Sequence, residues 1–165
     1  MPSTERARSN VVAVPYTTAD ARQQLLDTIA EATQELGVAL AALSEAYEQL
    51  DEHNADRVEQ ELFRPAQTAY GRARRAHAAF AERHELPGRA FEPAVAGAPS
   101  KGARGFLDSA VDAVASADRQ LSTLQDSMLP VEVGDRELRA GLTETRSAIA
   151  ELPARARRLM RTQGR

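Results

Sequence analysis

The chain has 165 residues, a net charge of −3, 4% aromatic residues, and no cysteine or tryptophan. That length suits one domain with a sizeable core, which has to be built of Leu, Val, Ile and Ala. The lack of cysteine excludes disulfides, thiol nucleophiles and thiolate metal sites, and no apolar run reaches the roughly 18 residues that a membrane span needs.

Residues 1–17 open with Glu5, Arg6 and Arg8 and have no apolar stretch of leader type behind them, which predicts no secretory leader and a cytoplasmic protein. Asn10–Tyr16 alternates briefly, but Pro15 cuts the pattern, so an extended arm is expected over 1–17. From Thr18 the period changes. Leu26, Thr33, Leu40 and Tyr47 recur every seventh residue, and Ile29, Leu36, Leu43 and Leu50 do so three residues later. This is the spacing of helices packed side by side, and it predicts helix 1 over 18–52. Thr17 or Thr18 can cap it, with Asp20 favourably placed in its first turn.

Asn54 is a good cap for helix 2, predicted over 55–84, where Leu62, Ala69 and Ala76 alternate with Ala66, Ala73 and Phe80. Pro65 removes one backbone hydrogen bond, so a kink or break is expected there. Leu86–Gly102 is rich in Pro, Gly and Ala and reads as a loop, the most mobile internal segment, with Phe91 and Val95 as the residues able to dock it. Helix 3 follows over 103–129, with seams Leu107, Val114, Leu121, Met128 and Ala110, Ala117, Leu124, Val131. Helix 4 is predicted over 135–161, with Leu138, Thr145, Leu152 and Leu159 alternating with Leu142, Ile149 and Ala156, and a kink at Pro153. Thr33 and Thr145, the polar seam members, are expected to bond their own i−4 carbonyls. Four such segments predict an all-α, antiparallel up-down-up-down four-helix bundle with coiled-coil-like packing, a single domain over 18–165. Leu40 and Leu121 are expected at its centre.

Charge alternates along the chain: −7 over 18–53, +1 over 54–86, −4 over 105–133 and +4 over 134–165. In a sequential ring the two acidic helices, 1 and 3, would sit diagonally and every neighbour would differ in charge. In that ring the Arg-rich parts of helices 2 and 4 share an end. The candidate polyanion-binding residues there are Arg72, Arg74, Arg75, Arg155, Arg157, Arg158 and Arg161. Cations near helix C-termini also complement the helix dipole without binding anything.

The chemistry of catalysis is missing from the pattern. No Glu-x-x-His and no His-Glu-x-x-His occurs, so no metal site is expected. Phe63, Tyr70, His77 and His84 form a seven-residue file that reads as a half-buried flank of helix 2. Gly97–Gly105 lacks the spacing of a phosphate loop, leaving Ser100, Lys101 and Arg104 as a weak candidate anion site. No cofactor is implied. The expected function is non-enzymatic: a helical-bundle interaction or scaffold protein acting on a protein partner or by self-association. A regulator binding nucleic acid or anionic membrane through its arginines is the second reading, and a small-ligand carrier or enzyme with a site between helices the third. One exposed patch formed by Leu25, Val38, Phe63, Phe106 and Val111 would favour the first.

Overall fold

The computed structural model describes residues 18–98 and 102–163, and all regular structure among them is helical. The elements are α1 (Thr18–Glu48), α2 (Glu52–Val58), a π turn (Glu59–Phe63), α3 (Arg64–Arg83), α4 (Gly102–Asp126), α5 (Leu129–Glu132), α6 (Arg136–Ile149) and α7 (Leu152–Gln163). The expected arm, Thr17, Ser100 and Lys101 lie outside the described residues. Five helices have 12 or more residues, not four, because helix 4 is divided into α6 and α7. No helix of the described residues is long and apolar enough to cross a membrane.

Most seam residues are buried, Leu26 and Thr33 among them, but in the second half of α1 that seam gives way to the preceding residues. Leu25, Ala32, Ala39 and Ala46 are fully buried and alternate with Ile29, Leu36 and Leu43, while Leu40 is half-buried and Tyr47 exposed. The alanines carry the contact there, since their small side chains let a neighbouring helix come close. Thr33 and Thr145 donate to the carbonyls of Ile29 and Gly141, both at 2.7 Å, as their hydroxyls must when buried. The seams of α4 end at Leu121 and Leu124. Met128 and Val131 are exposed, because α4 stops at Asp126 and Met128 takes a left-handed conformation (φ 65°). The cap of α2 is Asp51, not Asn54: its carboxylate accepts from the Asn54 amide at 3.3 Å.

The break expected at Pro65 takes the form of the π turn. Proline has no N–H for the carbonyl four residues back, and its ring crowds that oxygen. The turn widens instead, and the Arg64 amide bonds Glu59 five residues back.

The helices do not follow the expected sequential ring. The most extensive interface joins α1 to α4, followed by α3 with α6 and α1 with α3. The two acidic helices are therefore neighbours rather than diagonal. Gln24 and Thr28, near the start of α1, share a groove with Arg119 and Thr123 at the end of α4 and Leu129 of α5. Arg83 at the end of α3 bonds Asp135 just before α6. Since α5 alone separates α4 from α6, the ends of α3 and α4 lie together, so Gly102 lies the length of α4 away from Arg83, and residues 85–98 begin the return. For the 25 residues of α4 that distance is about 37 Å, within reach of an extended 17-residue chain. The segment's length is that of a crossing, not slack.

Phe91 docks this crossing and Val95, 91% exposed, does not. Phe91 packs edge-on against His77 with ring centroids 5.2 Å apart, and Arg89 stacks over Phe91 at 5.5 Å. Further along, the chain passes Gly37, where an added Cβ would lie 3.9 Å from that of Ala94. His77 is buried rather than flanking the core. Burial, and next the positive charge of Arg89, hold its pKa below 6.5 against the opposing pull of Asp27. An unfolded His77 titrates near 6.5, so its neutral burial contributes fully above that pH, and the contribution is lost as pH falls below it. The ring resonances of Phe91 should therefore move toward solvent-exposed values between about pH 7 and about pH 5. A His77→Gln variant should lose that pH dependence, and Phe91 ring resonances unchanged between the two pH values in the parent would contradict the assignment.

Candidate functional site

The arginines of the sequence do not gather at one end. Because the last turn of α3 meets the first turn of α6, α7 runs beside α2 and the π turn instead. The predicted cluster is split accordingly.

Arg72 donates to the Glu144 carbonyl at 3.1 Å, and Arg74 lies over the Tyr70 ring at 5.5 Å. Arg72 and Arg75 line a shallow groove together with Arg83, Glu137 and Glu144, where the charges nearly balance.

The α7 arginines are differently placed. Leu152, Ala156, Leu159 and Met160 anchor α7 in the core. Arg155, Arg158 and Arg161, three residues apart, fall on one helical face and line an open groove of about 770 Å³. The opposite wall is Arg57, Gln60 and Glu61, and Thr162 completes it. Arg157 points elsewhere and is exposed. Four guanidiniums thus face one carboxylate.

Two of these guanidiniums are held. Arg57 is 3.3 Å from a Glu61 carboxylate oxygen and donates to the Thr162 hydroxyl at 3.4 Å. Arg155 donates to the Glu151 carboxylate at 3.0 Å and to the Glu61 carbonyl at 3.5 Å. In a regular helix that carbonyl would accept from residue 65, and Pro65 has no N–H to give it. Arg158 and Arg161 are exposed and have no side-chain partner among the described residues. The groove therefore combines two positioned cations with two free ones, an arrangement suited to an anion with several oxygens.

Sequence reasoning identified three of the four groove arginines and missed Arg57, Gln60, Glu61 and Thr162. The signal that was available is local: Pro65 has no N–H for the carbonyl of Glu61, and Arg57 stands one turn before Glu61. Of the weak anion site, Arg104 is exposed in the first turn of α4, while Ser100 and Lys101 are outside the described residues.

A second polar cluster is structural. Asp135 caps α6, accepting from the Leu138 amide at 2.8 Å. Arg83 donates to both of its carboxylate oxygens, at 2.8 and 3.0 Å, and also to Glu137 at 2.7 Å. His84 Nε2 lies 2.9 Å from Asp135, and an ionised carboxylate can only accept, so that nitrogen carries the proton. The His84 ring is tilted against Phe80 at 4.4 Å. This cluster bolts the end of α3 to the start of α6. Among the described residues no group of three His, Cys, Asp or Glu side chains is arranged to hold a metal. No family model, curated protein or solved structure matches this chain.

Proposed function

We propose that this chain is a non-enzymatic interaction protein, a helical bundle that docks an anionic partner in the groove between α2 and α7. In this reading four rods make the bundle: α1, α2 through α3, α4, and α6 with α7. Each rod runs against its two neighbours, in the order α1, α3, α6–α7, α4 around the ring, so the chain goes up, down, down, up. The alternating four- and three-residue steps of buried positions on α1 support coiled-coil-like packing in it.

The observation that carries the docking reading is the groove itself, with Arg57, Arg155, Arg158 and Arg161 on two facing walls. An apolar docking face has less support. Leu25 and Phe106 are buried, Phe63 and Val111 half-buried, and only Val38 of that set is exposed. An enzymatic or carrier reading also has little to stand on. The buried polar residues among those described are Thr33, His77, Asp135 and Thr145, and both threonines bond their own helix. Self-association keeps one supporting fact: the acidic helices α1 and α4 pack side by side, which segregates charge across the molecule.

Retention on a heparin matrix tests the reading. The parent protein should bind at low salt and elute as salt screens the groove. Arg158→Gln with Arg161→Gln should elute much earlier, while Arg157→Gln, outside the groove, should elute close to the parent. A parent that is not retained at low salt would end this reading.

A further inference from the structure

We propose that the groove between α2 and α7 is a phosphoryl site, and that it recognises phosphorylated side chains on a peptide segment of a partner protein. The proposal rests on the docking reading above and names the chemistry of the partner.

The lining sets the charge of the ligand. Four guanidiniums against the Glu61 carboxylate, and the Glu151 carboxylate that Arg155 bonds, leave a surplus of two positive charges in one groove. A single carboxylate neutralises one of them, whereas a phosphate monoester carries close to two negative charges at neutral pH and presents three acceptor oxygens. Guanidinium forks match those oxygens pairwise, and a groove with cations on both walls can hold one phosphoryl group from two sides. The Arg57 and Arg155 forks are positioned in advance by Glu61, Thr162 and Glu151, so less side-chain freedom is lost when the ligand arrives. Arg158 and Arg161 remain free to close on it. The Gln60 amide faces the same space and adds a neutral donor, while the Thr162 hydroxyl donates to the Leu159 carbonyl and serves to hold Arg57.

The surroundings favour a compact anion over a long one. Glu61 and Glu151 stand at the groove, Asp56 and Glu59 lie on the same α2–π segment, and the acidic helices α1 and α4 pack side by side. A nucleic acid or a membrane surface extending beyond the groove would meet those carboxylates. A phosphorylated side chain on an otherwise weakly charged peptide reaches the arginines and brings no further negative charge to the surrounding carboxylates. The lining holds no aromatic ring on which a base could stack, which removes the usual support for single-stranded nucleic acid. Recognition of phosphorylated segments by arginine clusters is an established mode of peptide binding.

The test is fluorescence anisotropy with a labelled degenerate peptide carrying two fixed phosphoserines, set beside the same peptide with serines, the same with glutamates, a single-stranded RNA, and phosphatidylserine vesicles. The phosphoserine peptide should bind at least about ten-fold more tightly than either peptide control. Arg158→Gln with Arg161→Gln should remove that preference, with circular dichroism unchanged from the parent. Arg74→Gln with Arg75→Gln, on α3, should keep it. Equal affinity for the phosphoserine and glutamate peptides would overturn the phosphoryl assignment while leaving an anion-docking groove. Tighter, groove-dependent binding of the RNA or the vesicles would overturn the peptide assignment. A parent protein retained on heparin that binds no peptide would sink this inference alone, and one retained on neither would sink the docking reading with it.

Discussion

Asp135→Ala should lower the stability of the protein by about 1–3 kcal/mol, because it removes the cap of α6 and leaves the buried Leu138 amide and the Arg83 fork without their acceptor. Asp135 is only 8% exposed, yet its carboxylate meets the Leu138 amide, the Arg83 fork and His84 Nε2. Arg83, whose side chain is 30% exposed, keeps Glu137 as an alternative partner, so the lower part of that range is expected. Asp135→Asn retains a capping oxygen and should be less harmful. The charge also ties stability to pH. Burial raises the Asp135 pKa, but the Leu138 amide, His84 and Arg83 together outweigh it and hold the carboxyl below 3.8. An unfolded Asp titrates near 3.8, so the bolt contributes fully above that pH and is lost as pH falls below it. Urea unfolding of both variants at neutral and acid pH measures this directly. A loss under about 1 kcal/mol for the alanine variant would mean the cluster behaves as a solvent-screened surface pair.

Leu121→Ala and Leu36→Ala should each destabilise by about 2–5 kcal/mol, as fully buried leucines replaced by a cavity between close-packed helices. Leu40→Ala should lose clearly less. Leu40 is half-buried beside the seam, whereas Ala39 occupies the contact line itself. Unfolding midpoints for the three variants give the order. If Leu40→Ala proved the most damaging, the displaced seam of α1 would be wrong and the sequence spacing right.

That displaced seam shows what the chain made legible and what it hid. The period of apolar residues reports helices wherever the buried residues are large, so the seams of α4, α6 and α7 could be read almost residue by residue. On α1 the eye follows Leu26, Thr33, Leu40 and Tyr47; the first two are buried, but Leu40 and Tyr47 give way to Ala39 and Ala46, whose small size is the reason they are there. Directions of helices were beyond reach. Local periodicity does not say which helices are neighbours, and a long connection reads the same whether it is slack or stretched along the molecule. The order of the ring then decided the site. With α7 beside α2 rather than beside the end of α3, the arginines of α7 meet Arg57 and not Arg72, Arg74 and Arg75. Asp135 was readable as the opening of helix 4, but its partners Arg83 and His84 lie some fifty residues away. No spacing rule connects them.

Nuclear magnetic resonance of the arginine Nε–Hε groups and backbone amides, followed while tripolyphosphate is added at low salt, addresses the groove most directly. The docking reading predicts saturable shifts confined to Arg57, Arg155, Arg158 and Arg161 and to the amides of 57–61 and 155–162, reversed by added salt. Shifts centred on Arg72–Arg75, or equally spread over all exposed arginines, would contradict it.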